Sequence, residues 1–224
     1  MYIINPQINF VCGFPLTAEM VNLAIMQTNQ TLQQLLPPLF RSIDHKTTSA
    51  MIGCILCKNI AQLTNGTAIV NPIEKGHPDI VPIEALNASE EELRNYPIGL
   101  EVKCTSGNIP ATSTLNKAES RIHLLNGITW QAHHREVTEL FGVTYDYYHY
   151  ETGNKPIITG TFYSNNLVEN DWGKISGTKG RNTKVTSMLK SGKNKLASGW
   201  FSIINDERYI NKYTKIFKFN IQGD

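Results

Sequence analysis

The sequence predicts an α+β protein with a central mixed β-sheet flanked by helices. Helical patterns with capping residues occupy the first 65 residues, and short segments that alternate apolar and polar residues follow them. Helices that precede strands, instead of alternating with them, are typical of this fold class. With 224 residues, of which 41% are hydrophobic and 18% charged, the chain can bury a sizeable core. We expect one domain over residues 1–224, with a basic, DNA-contacting arm or subdomain at about residues 165–200.

Two helices are expected in the N-terminal third. The first covers Thr17–Leu36, with Thr17 as its N-cap, and the two prolines at 37–38 end it. The second covers Thr48–Leu63 and stops at the Asn-Gly pair of residues 65–66. Its broad apolar face indicates a buried helix or a dimer contact.

Strands are expected through most of the remaining chain. The polar segment Asn87–Glu92 predicts a capped surface turn, and Ser106–Asn116 predicts a loop. The strand patterns are Thr67–Val70, Asp79–Val81, Ile98–Thr105, Ile128–His133, Thr138–Tyr148, Pro156–Tyr163 and, as an edge strand, Tyr213–Ile221.

Several protein classes are disfavoured by the composition. No apolar run approaches the roughly 20 residues of a membrane span, and no basic leader precedes an apolar stretch, so we expect a cytoplasmic protein without membrane contact. Four cysteines are too few for a disulfide framework. Cys54 and Cys57 form a C-x-x-C, which favours packing of a buried helix over a metal or redox site because no second pair completes one.

Charge is distributed unevenly. Residues 1–120 hold 7 Lys/Arg and 10 Asp/Glu, a net charge of −3, whereas residues 121–224 hold 14 and 9, a net charge of +5. Between Trp172 and Trp200 seven basic residues occur with no acidic one. Such a stretch, interleaved with Gly, Ser, Thr and Asn, predicts a loop or arm that contacts phosphates. The alternative is a solvated, flexible surface.

Two short segments contain the candidate catalytic residues, GHPD at 76–79 and LEVKCT at 100–105. On a strand, residues i and i+2 share a face, so Glu101 and Lys103 point the same way. Asp79 is expected to supply a second carboxylate from the neighbouring strand. An E-x-K pair is also a common surface pattern that forms only a weak salt bridge, but the apolar residues around this one indicate a semi-buried strand.

This constellation suits Mg²⁺. The ion prefers oxygen ligands and keeps several waters, so Asp79, Glu101 and the Val102 carbonyl are candidate ligands. A bound ion would polarise a scissile phosphate and lower the pKa of a bound water. Lys103 is a candidate for orienting that water or stabilising the developing charge.

The paired motif resembles that of the PD-(D/E)XK nucleases. Pro78-Asp79 corresponds to the PD half, and Glu101-Val102-Lys103 to the (D/E)XK half. The chain is most similar to a type II restriction endonuclease. The resemblance implies a restriction-endonuclease-like mixed sheet flanked by helices, Asp79, Glu101 and Lys103 as catalytic residues, Mg²⁺ as cofactor and a homodimer that cuts double-stranded DNA. It also implies 5′-phosphate and 3′-hydroxyl products.

One feature departs from the family pattern. Many members carry a further glutamate on the helix that precedes the PD strand, and Thr48–Leu63 contains no acidic residue. Glu19, Glu74 and Glu84 are candidate substitutes, and the number of metal ions stays open.

Three further residues are candidate accessories to the active site, with a turn cap as the alternative role of His77 and a polar strand end as the alternative for Gln131 and His133. His77 adjoins the first motif, and Gln131 and His133 share a face if residues 128–134 form a strand. A zinc site is disfavoured here, because the adjacent His133 and His134 point opposite ways on a strand and no thiolate is near.

DNA contacts are expected from the basic stretch, and the Ser106–Asn116 loop is a further candidate. The candidate DNA-binding residues are Lys174, Lys179, Arg181, Asn182, Lys184, Lys193 and Lys195. The leading hypothesis is thus a sequence-specific, Mg²⁺-dependent double-stranded DNA endonuclease. Its rivals are a repair or junction-resolving nuclease, which would recognise DNA shape, and a non-catalytic DNA-binding protein.

Overall fold

The structure, a computed structural model, describes residues 2–177 and 184–219. Within them, six α-helices and ten β-strands are assigned. The helices are α1 (Ala18–Gln34), α2 (Pro37–Ser42), α3 (His45–Leu63), α4 (Glu90–Leu93), α5 (Lys190–Ser198) and α6 (Glu207–Phe217). The strands are β1 (Tyr2–Ile4), β2 (Ala68–Val70), β3 (Ile80–Pro82), β4 (Glu101–Thr105), β5 (Gln131–Ala132), β6 (Leu140–Tyr150), β7 (Gly153–Ser164), β8 (Ser176–Gly177), β9 (Lys184–Ser187) and β10 (Trp200–Ile204).

A five-stranded mixed sheet forms the centre, in the order β1-β10-β7-β6-β4. Strands β4 and β6 are parallel, and the other neighbours are antiparallel. Two smaller sheets accompany it, β2-β3 and β5-β9-β8. This arrangement confirms the predicted α+β class with a central mixed sheet and flanking helices.

The central sheet carries a hydrophobic core on each face. Along β6, Phe141, Val143 and Tyr145 alternate toward the core that contains the apolar sides of α1 and α3. Leu140 belongs to the other core, with Trp130 and the buried side of α6. Because both faces of the sheet are covered, its strands consist mostly of apolar and aromatic residues. Polar side chains can reach solvent at the edge formed by β4.

The caps of the helices follow from their sequences. Thr17 accepts a hydrogen bond from the Met20 amide at 3.3 Å and starts α1, as predicted. Ser89 and Glu92 form a reciprocal capping box on α4, so the predicted surface turn is confirmed. Helix α3 begins three residues earlier than expected, because Asp44 caps it through the Thr47 amide. The prolines at 37–38 also start the short helix α2, which was not predicted.

The edge strand expected at Tyr213–Ile221 is wrong. The described part of that segment belongs largely to α6, and residues 220–221 lie outside the described ranges. Asp206 caps α6, and Tyr209 and Tyr213, one helical turn apart, are both buried. Apolar residues alternate with a period of two only at the end of the segment. When the segment is extended back to the cap at Asp206, the apolar residues follow the helical period of 3.6.

The long loop expected in the basic stretch is also wrong where the structure describes it. Helix α5 buries Gly192, Leu196 and Ala197, and β8 and β9 pair in the small sheet. Despite the glycine and serine content of the segment, α5 forms because its apolar side is buried in the protein. The strand expected at Ile128–His133 is confirmed only for Gln131–Ala132.

Helix α3 carries the C-x-x-C pair. Cys57 is buried, as expected of a core residue, whereas Cys54 is exposed. Across residues 2–177 and 184–219, no helix is both long enough and apolar enough to span a membrane.

Candidate active site

Strands β3 and β4 bring the two sequence motifs together. Ile80 and Leu100 exchange backbone hydrogen bonds of 3.1 and 2.8 Å in an antiparallel bridge. Asp79 immediately precedes one bridge residue, and Glu101 immediately follows the other. The carboxylates expected to converge therefore lie at one edge of the central sheet.

Gly99 permits this close approach. Its φ is +153°, and a Cβ at this position would lie 2.3 Å from the Ile80 carbonyl oxygen and 3.0 Å from Pro78 Cγ. A side chain there would push β3 away from β4. The glycine in front of the E-x-K strand is thus a requirement of the site's geometry.

Asn71 holds the loop that carries the first motif. Its Nδ2 donates to the carbonyl oxygens of Pro78 (3.1 Å) and Leu93 (2.9 Å), and its Oδ1 accepts from the Ile73 amide at 3.0 Å. The backbone N–H of Asn71 donates to the backbone carbonyl oxygen of Asp79 at 2.9 Å. One buried asparagine therefore fixes both ends of the loop before β3.

Lys103 contacts both carboxylates. Its Nζ is 3.6 Å from Asp79 Oδ2 and forms an ion pair with Glu101 Oε1. Asp79 Oδ2 also accepts a 2.8 Å hydrogen bond from the Val102 amide, which orients it toward β4. The Glu101 side chain is 3% exposed, whereas that of Asp79 is 34% exposed. The site is anchored in the core and open to solvent on the Asp79 side.

The charges of the site are strongly coupled. Burial by itself raises the pKa of the Glu101 carboxyl, but the Lys103 ammonium and His77 outweigh burial and lower this pKa to about 2. Burial and the neighbouring Glu101 raise the pKa of Asp79. Burial lowers the pKa of Lys103, yet the two carboxylates reverse that effect and raise it. Glu101 is therefore anionic and Lys103 cationic at neutral pH.

The Val102 carbonyl faces the same edge as the carboxylates. Leu100 directs both its amide and its carbonyl to Ile80 across that edge. Successive residues of a strand direct their peptide groups to opposite edges, so Val102 repeats the direction of Leu100. Its amide bond to Asp79 agrees with this direction. The Asp79 and Glu101 carboxylates and the Val102 carbonyl thus lie along one edge, and an all-oxygen set of this kind fits a hard divalent cation.

Two histidines complete the polar cluster. His77 Nδ1 lies 3.5 Å from Glu101 Oε1, and the rings of His77 and His134 have centroids 4.0 Å apart. The structure thus brings His77 to the site, as expected, and adds His134. The sequence contains one signal for His134. It follows Trp130 and Ala132, which are both buried, at intervals of two residues, so an extended chain would direct it to the same inward side.

Gln131 and His133 lie elsewhere. Gln131 Nε2 donates to Ser187 Oγ at 3.3 Å, and His133 Nδ1 is 2.9 Å from the Lys184 carbonyl oxygen. The strand that would place both side chains on one face ends at Ala132, and both side chains contact β9 residues instead of Glu101. Of the adjacent histidines, His134 is the one near the carboxylates.

The candidate DNA-binding residues fall into three groups. Lys174 lines a cavity of about 410 Å³ next to His134 and Arg135, and Lys184 is exposed at the start of β9. Lys193 is half-buried on α5, whereas Lys195 Nζ is 2.7 Å from the buried Asp171 carboxylate. The remaining candidates, Lys179, Arg181 and Asn182, lie outside the described residues.

A third acidic residue is not supplied by the candidates considered above. Among the hydrogen bonds and ion pairs of residues 2–177 and 184–219, none joins Glu19, Glu74 or Glu84 to the motif residues. His77 and His134 lie beside Glu101, and Glu136 and Glu139 line the same small cavity.

Comparison with protein-family models, curated proteins and solved structures finds no match to this chain. What the site does must therefore be inferred from its own geometry.

Proposed function

We propose that the chain is a Mg²⁺-dependent, sequence-specific double-stranded DNA endonuclease of the restriction type. The observation that carries the proposal is the cluster of Asp79, Glu101 and Lys103 at one sheet edge, with the ammonium in contact with both carboxylates. The central mixed sheet with flanking helices agrees with the fold that the motif resemblance implies. A surface salt bridge would not require a carboxylate as buried as Glu101.

Asp79, Glu101 and the Val102 carbonyl are the residues that would hold Mg²⁺. The donor set fits this ion because it is all oxygen, and the exposed side of Asp79 leaves room for water and for a phosphate. When bound, the ion would polarise the phosphate and lower the pKa of a coordinated water.

The chain's own groups account for the remaining steps. The Val102 amide and Lys103 orient Asp79, and the Lys103 ammonium places a positive charge where a pentacovalent phosphate gathers negative charge. Hydrolysis forms a bond between water oxygen and phosphorus and breaks the bond from phosphorus to the 3′-oxygen. The 3′-oxygen leaves with a proton, so the products are a 5′-phosphate and a 3′-hydroxyl.

DNA and a second copy of the chain are the proposed partners. Lys174 and Arg135 line a cavity together with His134, Glu136 and Glu169, and its two basic side chains are candidates for phosphate binding beside the site. A two-fold symmetric dimer would present two such centres and cut both strands of a symmetric site.

The test is digestion of a random plasmid library with Mg²⁺. Asp79→Ala and Lys103→Ala are expected to bind duplex DNA and not to cut it, because each lacks a group needed only for the chemical step. Discrete fragments from linear duplex support restriction, whereas selective cutting of branched or damaged DNA would assign a repair nuclease. Undiminished cutting by both variants would refute the proposed active site.

A further inference from the structure

A second set of ligating groups lies beside the carboxylates. His77, Glu101 and His134 each offer one nitrogen or oxygen atom, and these three atoms lie within 4.8 Å of one another. Glu101 is buried and the two histidines are half-buried, so the cluster does not belong to the ordinary exposed surface. The groups come from the loop before β3, from β4 and from the segment after β5.

Several polar atoms of this cluster lack hydrogen bonds. Among the described residues, both ring nitrogens of His134 and the Glu101 Oε2 atom are buried without a hydrogen-bond or ion-pair partner. The contacts that Glu101 does make are ion pairs with Lys103 and His77. Buried polar groups normally find partners, and each exception calls for an explanation such as a bound ion or water.

We propose that His77, Glu101 and His134 form a second metal site, which binds a transition-metal ion of the Zn²⁺ or Co²⁺ type. The inference concerns binding of the metal alone and does not depend on nuclease activity. It differs from the proposed Mg²⁺ position in its ligand chemistry, since two imidazoles and one carboxylate suit borderline transition metals and all-oxygen sets suit Mg²⁺. Glu101 would be shared between the two positions.

The distances are close to those that such a site requires. Ligands about 2.1 Å from a tetrahedral ion are about 3.4 Å from one another. His77 Nδ1 and Glu101 Oε1 are already 3.5 Å apart. Because the three atoms lie within 4.8 Å of one another, a shift of His134 of up to about 1.4 Å would bring all three groups to bonding distance, which rotation of a half-buried side chain can supply.

Space for the ion is present. A cavity of about 40 Å³ is lined by all three residues and by Glu136. This volume exceeds the roughly 15 Å³ that a single water requires, so it accommodates an ion with a bound water. Three protein ligands with an open fourth position are typical of catalytic zinc sites and not of structural ones.

The chain offers a matched control in the neighbouring histidine. His133 is adjacent to His134 in sequence, is exposed, and points to the Lys184 carbonyl instead of to Glu101. His133→Ala therefore removes one histidine and leaves the proposed ligands in place. Asp79→Asn distinguishes the two metal positions, because it changes a proposed Mg²⁺ ligand and leaves His77, Glu101 and His134 unchanged.

The experiment measures metal binding by the full chain after chelator treatment. Zn²⁺ content after dialysis and the visible absorption of added Co²⁺ are followed with excess Mg²⁺ present. Wild type, His133→Ala and Asp79→Asn are expected to bind one equivalent, whereas His77→Ala and His134→Ala should bind at least about tenfold more weakly. Thermal unfolding without metal checks that each variant folds, and His134→Gln replaces any alanine variant that does not.

Two results would overturn the proposal. One is the absence of stoichiometric Zn²⁺ or Co²⁺ binding by the wild type. The other is binding that persists in His77→Ala and His134→Ala, or that His133→Ala weakens equally. Loss of DNA cleavage in Asp79→Asn with retained Co²⁺ binding would support both metal positions separately, so failure of the nuclease proposal and failure of this one remain distinguishable.

Discussion

At the scale of single residues, the arrangement of the site depends on groups outside the cluster of Asp79, Glu101 and Lys103. Asn71 ties the loop before β3 to Pro78 and Leu93, and the Val102 amide fixes one oxygen of Asp79. Catalytic geometry is lost when such supporting groups shift by about 1 Å. The position of Asp79 therefore depends on Asn71 and on the Val102 amide as well as on its own strand.

Replacement of Asn71 by alanine tests this dependence. Asn71→Ala leaves buried carbonyl oxygens without their donor, so the free energy of unfolding should fall by about 1–3 kcal/mol. Cleavage should fall further than stability explains at temperatures where the variant is folded. Denaturant unfolding and plasmid cleavage are the two measurements.

Asn194→Ala, on an exposed position of α5, is the matched control and should change stability by less than about 0.5 kcal/mol. Equal effects of the two asparagine variants would contradict the positioning role of Asn71.

At the scale of elements, the contact between β3 and β4 assembles the site. The bridge between Ile80 and Leu100 sets the spacing of Asp79 from Glu101, and Gly99 allows the strands to approach. Both features follow from backbone geometry. They can be tested without touching any group proposed to react.

Gly99→Ala should separate the two strands. Because a Cβ would lie 2.3 Å from the Ile80 carbonyl oxygen, we expect a loss of about 1–3 kcal/mol in unfolding free energy and a loss of cleavage. Gly53→Ala is the control, since a Cβ on that position of α3 meets no atom within 4 Å and should be neutral or slightly stabilising. A neutral Gly99→Ala would show that the strands do not need this approach.

The cap of α6 predicts a pH dependence. Hydrogen bonds from the Arg208 side chain lower the pKa of Asp206 to about 2, and the Tyr148 hydroxyl donates to the same carboxylate at 2.9 Å. A folded pKa below the unfolded value of about 4 contributes stability above pH 4, which is lost as pH falls toward 2.

Asp206→Asn keeps a capping oxygen but removes that charge. Its unfolding free energy should fall below that of the wild type by up to about 1 kcal/mol at pH 7, and the difference should vanish near pH 2. Denaturant titrations at several pH values measure this, and a difference that stays constant with pH would contradict the assignment.

The same elements indicate how far sequence reasoning reaches. The motif strand, the Thr17 cap and the Ser89 capping box were predictable because each depends on neighbours in sequence. Helix α6 was missed because the alternation at its end concealed the longer period, and tertiary burial of Tyr209 and Tyr213 decides it. His134 was missed because its role comes from proximity to His77, which is 57 positions earlier in the chain.

At the scale of the whole molecule, the basic C-terminal half is expected to supply DNA contacts, but its lysines are not equivalent. Lys184 is exposed, whereas Lys195 pairs with the buried carboxylate of Asp171 and also donates to the Asn166 carbonyl at 2.6 Å. Affinity for phosphates falls with salt in proportion to the number of contacts. Loss of Lys184 should therefore change the salt dependence of DNA binding, whereas loss of Lys195 should change the stability of the fold.

Lys184→Ala is expected to reduce the slope of log affinity against log salt by about one, with stability unchanged. Lys195→Ala should leave that slope unchanged and lower the unfolding free energy by about 1–3 kcal/mol, because Asp171 loses its partner. Binding titrations over a range of salt, with denaturant unfolding, separate the two effects. A reversed pattern would place the DNA surface elsewhere.

The most direct test of the proposed active site is one plasmid digest with the fragment ends sequenced. Wild type with Mg²⁺ should give discrete fragments that begin at one recurrent sequence and carry 5′-phosphate and 3′-hydroxyl ends. Asp79→Ala, and wild type with chelator, should leave the plasmid intact while the protein still binds it. Equal cutting by Asp79→Ala, or an intact plasmid with wild type and either Mg²⁺ or Mn²⁺, would contradict a phosphodiester-cleaving centre at Asp79, Glu101 and Lys103.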